Sequence, residues 1–140
     1  MRTRHVLLLV ILLVGLGAGS LRADQATEKA VSSDARAWLS LIDNGNYSES
    51  WKEAATYFQN AVSEQQWASS LKAVRQPLGK TIRRALVKSM QANSLPGAPD
   101  GSYVVMSFET VFEHKKAAVE TVTFMLDKDG KWRAAGYYIK

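Results

Sequence analysis

Residues 103–112, 117–126 and 131–139 alternate in hydropathy and are separated only by Glu113-His114-Lys115-Lys116 and Asp127-Lys128-Asp129-Gly130. Parallel strands need crossovers of a dozen residues or more, so connections this short force neighbouring antiparallel strands. A basic segment over 81–90 reads as a further strand, with Ile82, Leu86 and Met90 interleaved among Lys80, Arg83, Arg84 and Lys88. It is joined to the others by residues 94–101, which hold Pro96, Gly97, Pro99 and Gly101 and read as a loop.

Ahead of these strands the spacing is helical. Val31, Ala35, Trp38, Leu39 and Ile42 recur on one face over 24–43, and Asn44-Gly45 closes the pattern. Residues 47–74 form a broken helical region carrying Trp51, Tyr57, Phe58, Trp67, Leu71 and Val74. Ser50 with Glu53 and Ser63 with Gln66 each fit a capping box, and Arg75-Gln76-Pro77 ends the region. Helices followed by a meander predict an α+β fold, with the helices packed on one face of a curved antiparallel sheet.

Turn geometry predicts the registers. A tip at His114-Lys115 sets Glu109 opposite Glu120. A loop at Lys128-Asp129-Gly130 sets Leu126 opposite Trp132, Phe124 opposite Ala134, Val122 opposite Gly136 and Glu120 opposite Tyr138. One sheet face would then carry Tyr103, Val105, Glu109, Glu120, Val122, Phe124 and Tyr138, and the other Val104, Met106, Phe108, Thr110, Phe112 and Tyr137. Neither is polar, so one face covers the helices and the other is expected to meet a second protein surface, most simply in a homodimer.

The N-terminus predicts where the chain works. Residues 1–23 read as a signal peptide, with a head of Arg2, Arg4 and His5, an apolar stretch from Val6 to Leu16 and an exit at Leu21-Arg22-Ala23. The expectation is an exported protein, periplasmic or secreted, with cleavage before Asp24, a single domain over 24–140 and no membrane span after cleavage. An uncleaved anchor is the alternative. The leader takes three basic residues and no acid, so the formal +5 of the 140-residue chain falls to about +2 and nucleic acid is not an expected partner. There is no cysteine for a disulfide, a thiolate zinc site or a lipid anchor. His114 is the one histidine left and sits in a charged turn, so neither a metal, a cofactor nor a Ser-His-Asp arrangement is expected.

Glu109 and Glu120 interrupt apolar strand patterns, and with Tyr138 in the same row they are the candidate catalytic residues, since adjacent half-buried carboxylates push one pKa upward. The competing expectation pairs them with Arg83 or Arg84 as structural groups. Trp38, Trp51, Trp67 and Trp132, with Arg84, are candidates for lining a ligand pocket; otherwise the indoles build the core. Asp43, Asp100, Asp127 and Asp129 read as helix-end and turn residues. The basic segment reads as a solvated edge, with anionic lipid head groups or a polyanion as its alternative partners.

The ordered set Leu41-Ile42-Asp43-Asn44-Gly45-Asn46-Tyr47-x-x-Ser50-Trp51, Arg75-Gln76-Pro77-Leu78-Gly79, Leu95-Pro96-Gly97-Ala98-Pro99-Asp100-Gly101-x-Tyr103, Glu120-Thr121 and Asp129-Gly130-Lys131-Trp132-Arg133-Ala134-Ala135-Gly136-Tyr137 resembles the bacterial domain of unknown function 4019. The similarity runs from about residue 35 to the end. That domain is similar to the nuclear-transport-factor-2-like superfamily, and the resemblance implies a cone-shaped, cystatin-like fold. Members of the superfamily bind small apolar ligands, act as isomerases or dehydratases, or dimerise, so the resemblance leaves function open. The leading expectation is a noncatalytic envelope module that binds a small apolar ligand or a protein. The alternatives are an isomerase or dehydratase using Glu109 or Glu120 with Tyr138, and an assembly factor for another envelope protein.

Overall fold

In the computed structural model, which describes residues 25–140, the spacing of Val31, Ala35, Trp38, Leu39 and Ile42 lays one buried stripe along helix α1, Gln25–Asp43. The expected leader lies outside the described residues. Helices α2, Tyr47–Lys52, α3, Thr56–Ala61, and α4, Glu64–Arg75, follow, and a 3-10 turn over Gln76–Leu78 leads to the sheet. Ser63 and Gln66 form the expected capping box at the start of α4, with Gln66 N–H donating to Ser63 Oγ at 3.2 Å and Ser63 N–H to Gln66 Oε1 at 3.1 Å.

The Ser50 expectation is corrected. Ser50 lies inside α2 with no exposed surface, donating to the Tyr47 carbonyl at 2.6 Å and accepting the Trp67 indole N–H at 2.9 Å. Helices of six residues do not hold themselves together in water. α3 is tied from outside instead: Asp127, in the turn between the last two strands, accepts from Thr56 N–H at 3.1 Å, capping a helix whose own N-cap position is Ala55. Gly79 hands the chain to the sheet at φ +72°, and a Cβ there would lie 2.9 Å from Glu113 Cβ, so glycine is required on both counts.

Strands β1, Thr81–Ala92, β2, Tyr103–Phe112, β3, Lys115–Leu126, and β4, Trp132–Ile139, pair antiparallel in chain order. The meander is as expected, but the register is not. Phe112 pairs with Lys115, so the hairpin tip is Glu113-His114, and a bulge at Lys116-Ala117 brings Phe108 opposite Glu120 and Glu109 opposite Val119. β4 begins as expected, with Leu126 opposite Trp132 and Phe124 opposite Ala134. Ala135 is then left unpaired, which puts Tyr137 opposite Val122 and Ile139 opposite Glu120. Each one-residue slip sends the following side chains to the other face.

The corrected registers gather Val104, Met106, Phe108, Val122, Phe124, Ala134 and Tyr137 onto one face, against Val31, Trp38, Leu39, Phe58 and Trp67 of the helices. On the opposite face Leu95 closes over Tyr103 and Val105, with Ala92, Ala98 and Met125 packed alongside. The loop is held by Tyr103, whose hydroxyl donates to the Pro99 carbonyl, and by Tyr57, whose hydroxyl donates to the Gly97 carbonyl at 3.0 Å. Part of the second apolar face is therefore covered by the chain's own loop.

Candidate functional site

Two helix ends and all four strands meet in one polar cluster. α1 ends on Asp43 with no basic residue in its last turn, which sets a carboxylate against the negative end of the helix dipole unless cations are brought to it. Arg75, the last residue of α4, donates from Nη2 to Asp43 Oδ1 at 2.7 Å and to Thr81 Oγ1 at 3.0 Å. Arg84 of β1 donates from Nη1 and Nη2 to Asp43 at 2.8 and 2.9 Å. The same guanidinium donates from Nε to Glu120 Oε1 at 2.7 Å and from Nη2 to Oε2 at 3.2 Å. Thr110 and Tyr137 donate their hydroxyls to the two remaining sides of Glu120.

The cluster is internal. Glu120 has no exposed surface and Arg75 is 5% exposed, its guanidinium lying 4.8 Å over the Phe112 ring. Burial works against the Asp43 charge, but hydrogen bonds from Arg84 and Arg75 outweigh it and hold the carboxyl below the ordinary value. Burial, then the adjoining Glu120 charge, pushes the Tyr137 phenol well above the ordinary tyrosine value. Two carboxylates and two guanidiniums balance. Glu120 accepts four hydrogen bonds from three side chains, which fills the lone-pair positions a carboxylate offers. Such a group organises neighbouring elements; it has no free face on which to exchange a proton with a substrate.

Of the candidate residues, Arg84 and Glu120 are brought together. Glu109 is exposed on the opposite face, and Tyr138, at 45% exposure, is also turned away, so the expected Glu109–Glu120–Tyr138 row does not exist. The bulges at Lys116-Ala117 and Ala135 are the cause, and Tyr137 takes the place expected for Tyr138. Trp38 and Trp67 are buried and stacked at 6.0 Å between centroids, with Phe58, Phe124 and Tyr137 at their edges. Trp38 Nε1 donates to the Ser50 carbonyl at 2.8 Å. Trp51, half-buried, donates to the Val62 carbonyl at 2.8 Å, and Trp132 packs at the margin of the core. A surface depression is lined by Gly45, Asn46, Tyr47, Ser48 and Glu49, none of them a candidate. Among the described residues no three metal-ligating side chains come together. Asp43, Arg75, Thr81, Thr110 and Tyr137 were not among the candidates. The uncompensated acid at the end of α1 was the signal in the sequence; read as a turn residue, Asp43 lost it.

Glu109→Gln and Glu120→Gln are expected to part company. The exposed Glu109 should be neutral within about 0.5 kcal/mol. Glu120→Gln leaves Arg84 underpaired in the interior and should cost about 1–3 kcal/mol. Urea melts of both variants check this, and equal, negligible effects would remove the structural role of Glu120.

The pH dependence has two limbs. Asp43, with its native pKa lowered, contributes stability that is present above the ordinary carboxylate value and lost as pH falls through the native one. Tyr137, with its native pKa raised, contributes stability that is present below about pH 10 and lost as pH rises beyond it. Tyr137→Phe should make the alkaline limb shallower, with the share of the likewise raised Tyr103 remaining, and leave the acid limb; an unchanged alkaline slope would refute the assignment.

The family described as "Protein of unknown function (DUF4019)" matches residues 34–137. No curated protein and no solved structure matches the chain.

Proposed function

The chain belongs to the DUF4019 family, and from that premise we propose that it is a noncatalytic, exported module that engages a partner in the cell envelope through its surface. The observation that carries this is Glu120: the one buried acid among the described residues has no exposed surface and is saturated by Arg84, Thr110 and Tyr137. The stacked Trp38 and Trp67 support the same reading, because their rings fill the interior that a cone-shaped relative would use for an apolar ligand. The order of helices and meander supports grouping the domain with nuclear-transport-factor-2-like or cystatin-like cones. Export rests on the composition of residues 1–23.

The test is isotope-labelled domain added to an envelope extract. Selective line broadening of surface amides, with Trp38, Trp67 and Tyr137 unmoved, is the expected result. Shifts centred on those three residues would mean an internal ligand, and no change anywhere would remove the partner. Mass spectrometry of envelope protein should find Asp24 as the first residue. Self-association is the narrower part of the reading: Val119 and Tyr138, 38% and 45% exposed, are the large apolar residues left open beside the loop-covered face. Light scattering that shows a strict monomer at high micromolar concentration removes the homodimer.

A further inference from the structure

Ile82 and Val87 carry the two largest exposures among the exposed large apolar residues described, 61% and 52%, and both lie on the free edge of the sheet. Alternation predicts Ile82 inward with Leu86. Instead Ile82 and Val87 are the extra residues of two bulges in the pairing of β1 with β2: Thr81 and Arg83 face the consecutive residues Phe112 and Val111, and Leu86 and Lys88 face Phe108 and Ser107. Neither has a cross-strand partner. Leaving two branched aliphatic side chains in water forgoes the free energy of burial, about 25 cal/mol per Å².

Around them cations predominate over acids. Lys80, Arg83 and Lys88 are exposed on the same edge and stand outside the ion pairs of Asp43, Glu120, Asp127 and Asp129. Of the nearby acids, Glu113 accepts from the Lys80 backbone N–H at 2.7 Å, and Glu109 stands opposite Ala85 on the next strand.

We propose that this edge is a peripheral docking site for an anionic lipid bilayer, with Ile82 and Val87 entering the headgroup boundary and Lys80, Arg83 and Lys88 meeting lipid phosphates. Apolar side chains flanked by cations are what such a surface recognises, each cation contributing about 1 kcal/mol near it. The bulges favour a bilayer over an added peptide strand. A strand needs an unbroken row of N–H and C=O groups in register, which two bulges interrupt, whereas a fluid surface needs no register. The same cations discourage pairing of β1 with β1 of a second copy. The inference stands apart from the proposed function, because vesicle binding requires no protein partner.

Co-sedimentation of the exported chain with vesicles of phosphatidylethanolamine and phosphatidylglycerol tests it, with phosphatidylcholine vesicles as the neutral comparison. Binding to the anionic vesicles alone, weakened by added salt, is expected. Lys80→Ala and Lys88→Ala should each lower partitioning about fivefold, and Ile82→Ser with Val87→Ser roughly tenfold. Lys52→Ala and Lys72→Ala, on the helices, should change nothing. These side chains are exposed, so the variants fold, and circular dichroism verifies it. Absence of binding, equal binding to neutral vesicles, or indifference to the edge substitutions overturns the proposal. So does protection of β1 amides by an acidic extended peptide in a chain that ignores vesicles.

Discussion

Arg84→Met is expected to cost about 3–5 kcal/mol, the range for removing one partner of a buried ion pair. Arg84 is shared: its guanidinium bonds Asp43 at the end of α1 and Glu120 in the middle of β3, so one side chain joins the helical layer to the sheet. Without it Asp43 keeps Arg75 and Thr81. Glu120 keeps only two hydroxyl donors and becomes a carboxylate with no exposed surface and no cation bonded to it. The size of the loss comes from that stranded charge, because exposed ion pairs contribute little by comparison. Adding Glu120→Gln to Arg84→Met should therefore restore part of the stability, so the double variant loses less than the sum of the single ones. Arg84→Lys should fall between, since an ammonium supplies charge without the planar fork that reaches both carboxylates. Denaturant melts of the four proteins measure the coupling. A loss below about 1 kcal/mol for Arg84→Met, or strict additivity, would show that Arg84 and Glu120 do not depend on one another.

Trp67→Ala is expected to cost about 3–5 kcal/mol by opening a cavity in the centre of the core. Trp67 is 1% exposed, stacks on Trp38, meets the Phe58 ring at 4.8 Å and lies edge-on to Tyr137. Against a typical total of about 5–15 kcal/mol, either substitution removes a large part of the stability. Ser50→Ala separates the polar share from the apolar share. It removes the acceptor of the Trp67 indole N–H and leaves every ring in place, and it should cost about 1–3 kcal/mol. Should Trp67→Ala melt within about 1 kcal/mol of the parent, the aromatic stack would not be the centre of the core.

The elements were legible because local chemistry specifies them. The buried stripe of α1, the Ser63 box, the stop at Pro77 and the turns that compel a meander all act over a few residues. Of the site, Arg84 and Glu120 stood out as charges inside strand patterns, and their pairing was among the expectations. Asp43 did not, because an acid at a helix end is ordinary until its cations are known to arrive from α4 and β1.

The α+β order, the antiparallel pairing and the buried stripe of α1 follow from residue pattern alone, since periodicity and turn length act locally. The register is settled in three dimensions. The bulges at Ile82, Val87, Lys116-Ala117 and Ala135 carry no residue signature, and they depend on how the whole sheet packs against the helices rather than on any local preference. Those few single-residue slips separate Glu109 from Glu120, bring Tyr137 to the carboxylate in place of Tyr138, and turn Ile82 outward. They do so because a strand has a period of two, and a shift of one residue exchanges its faces.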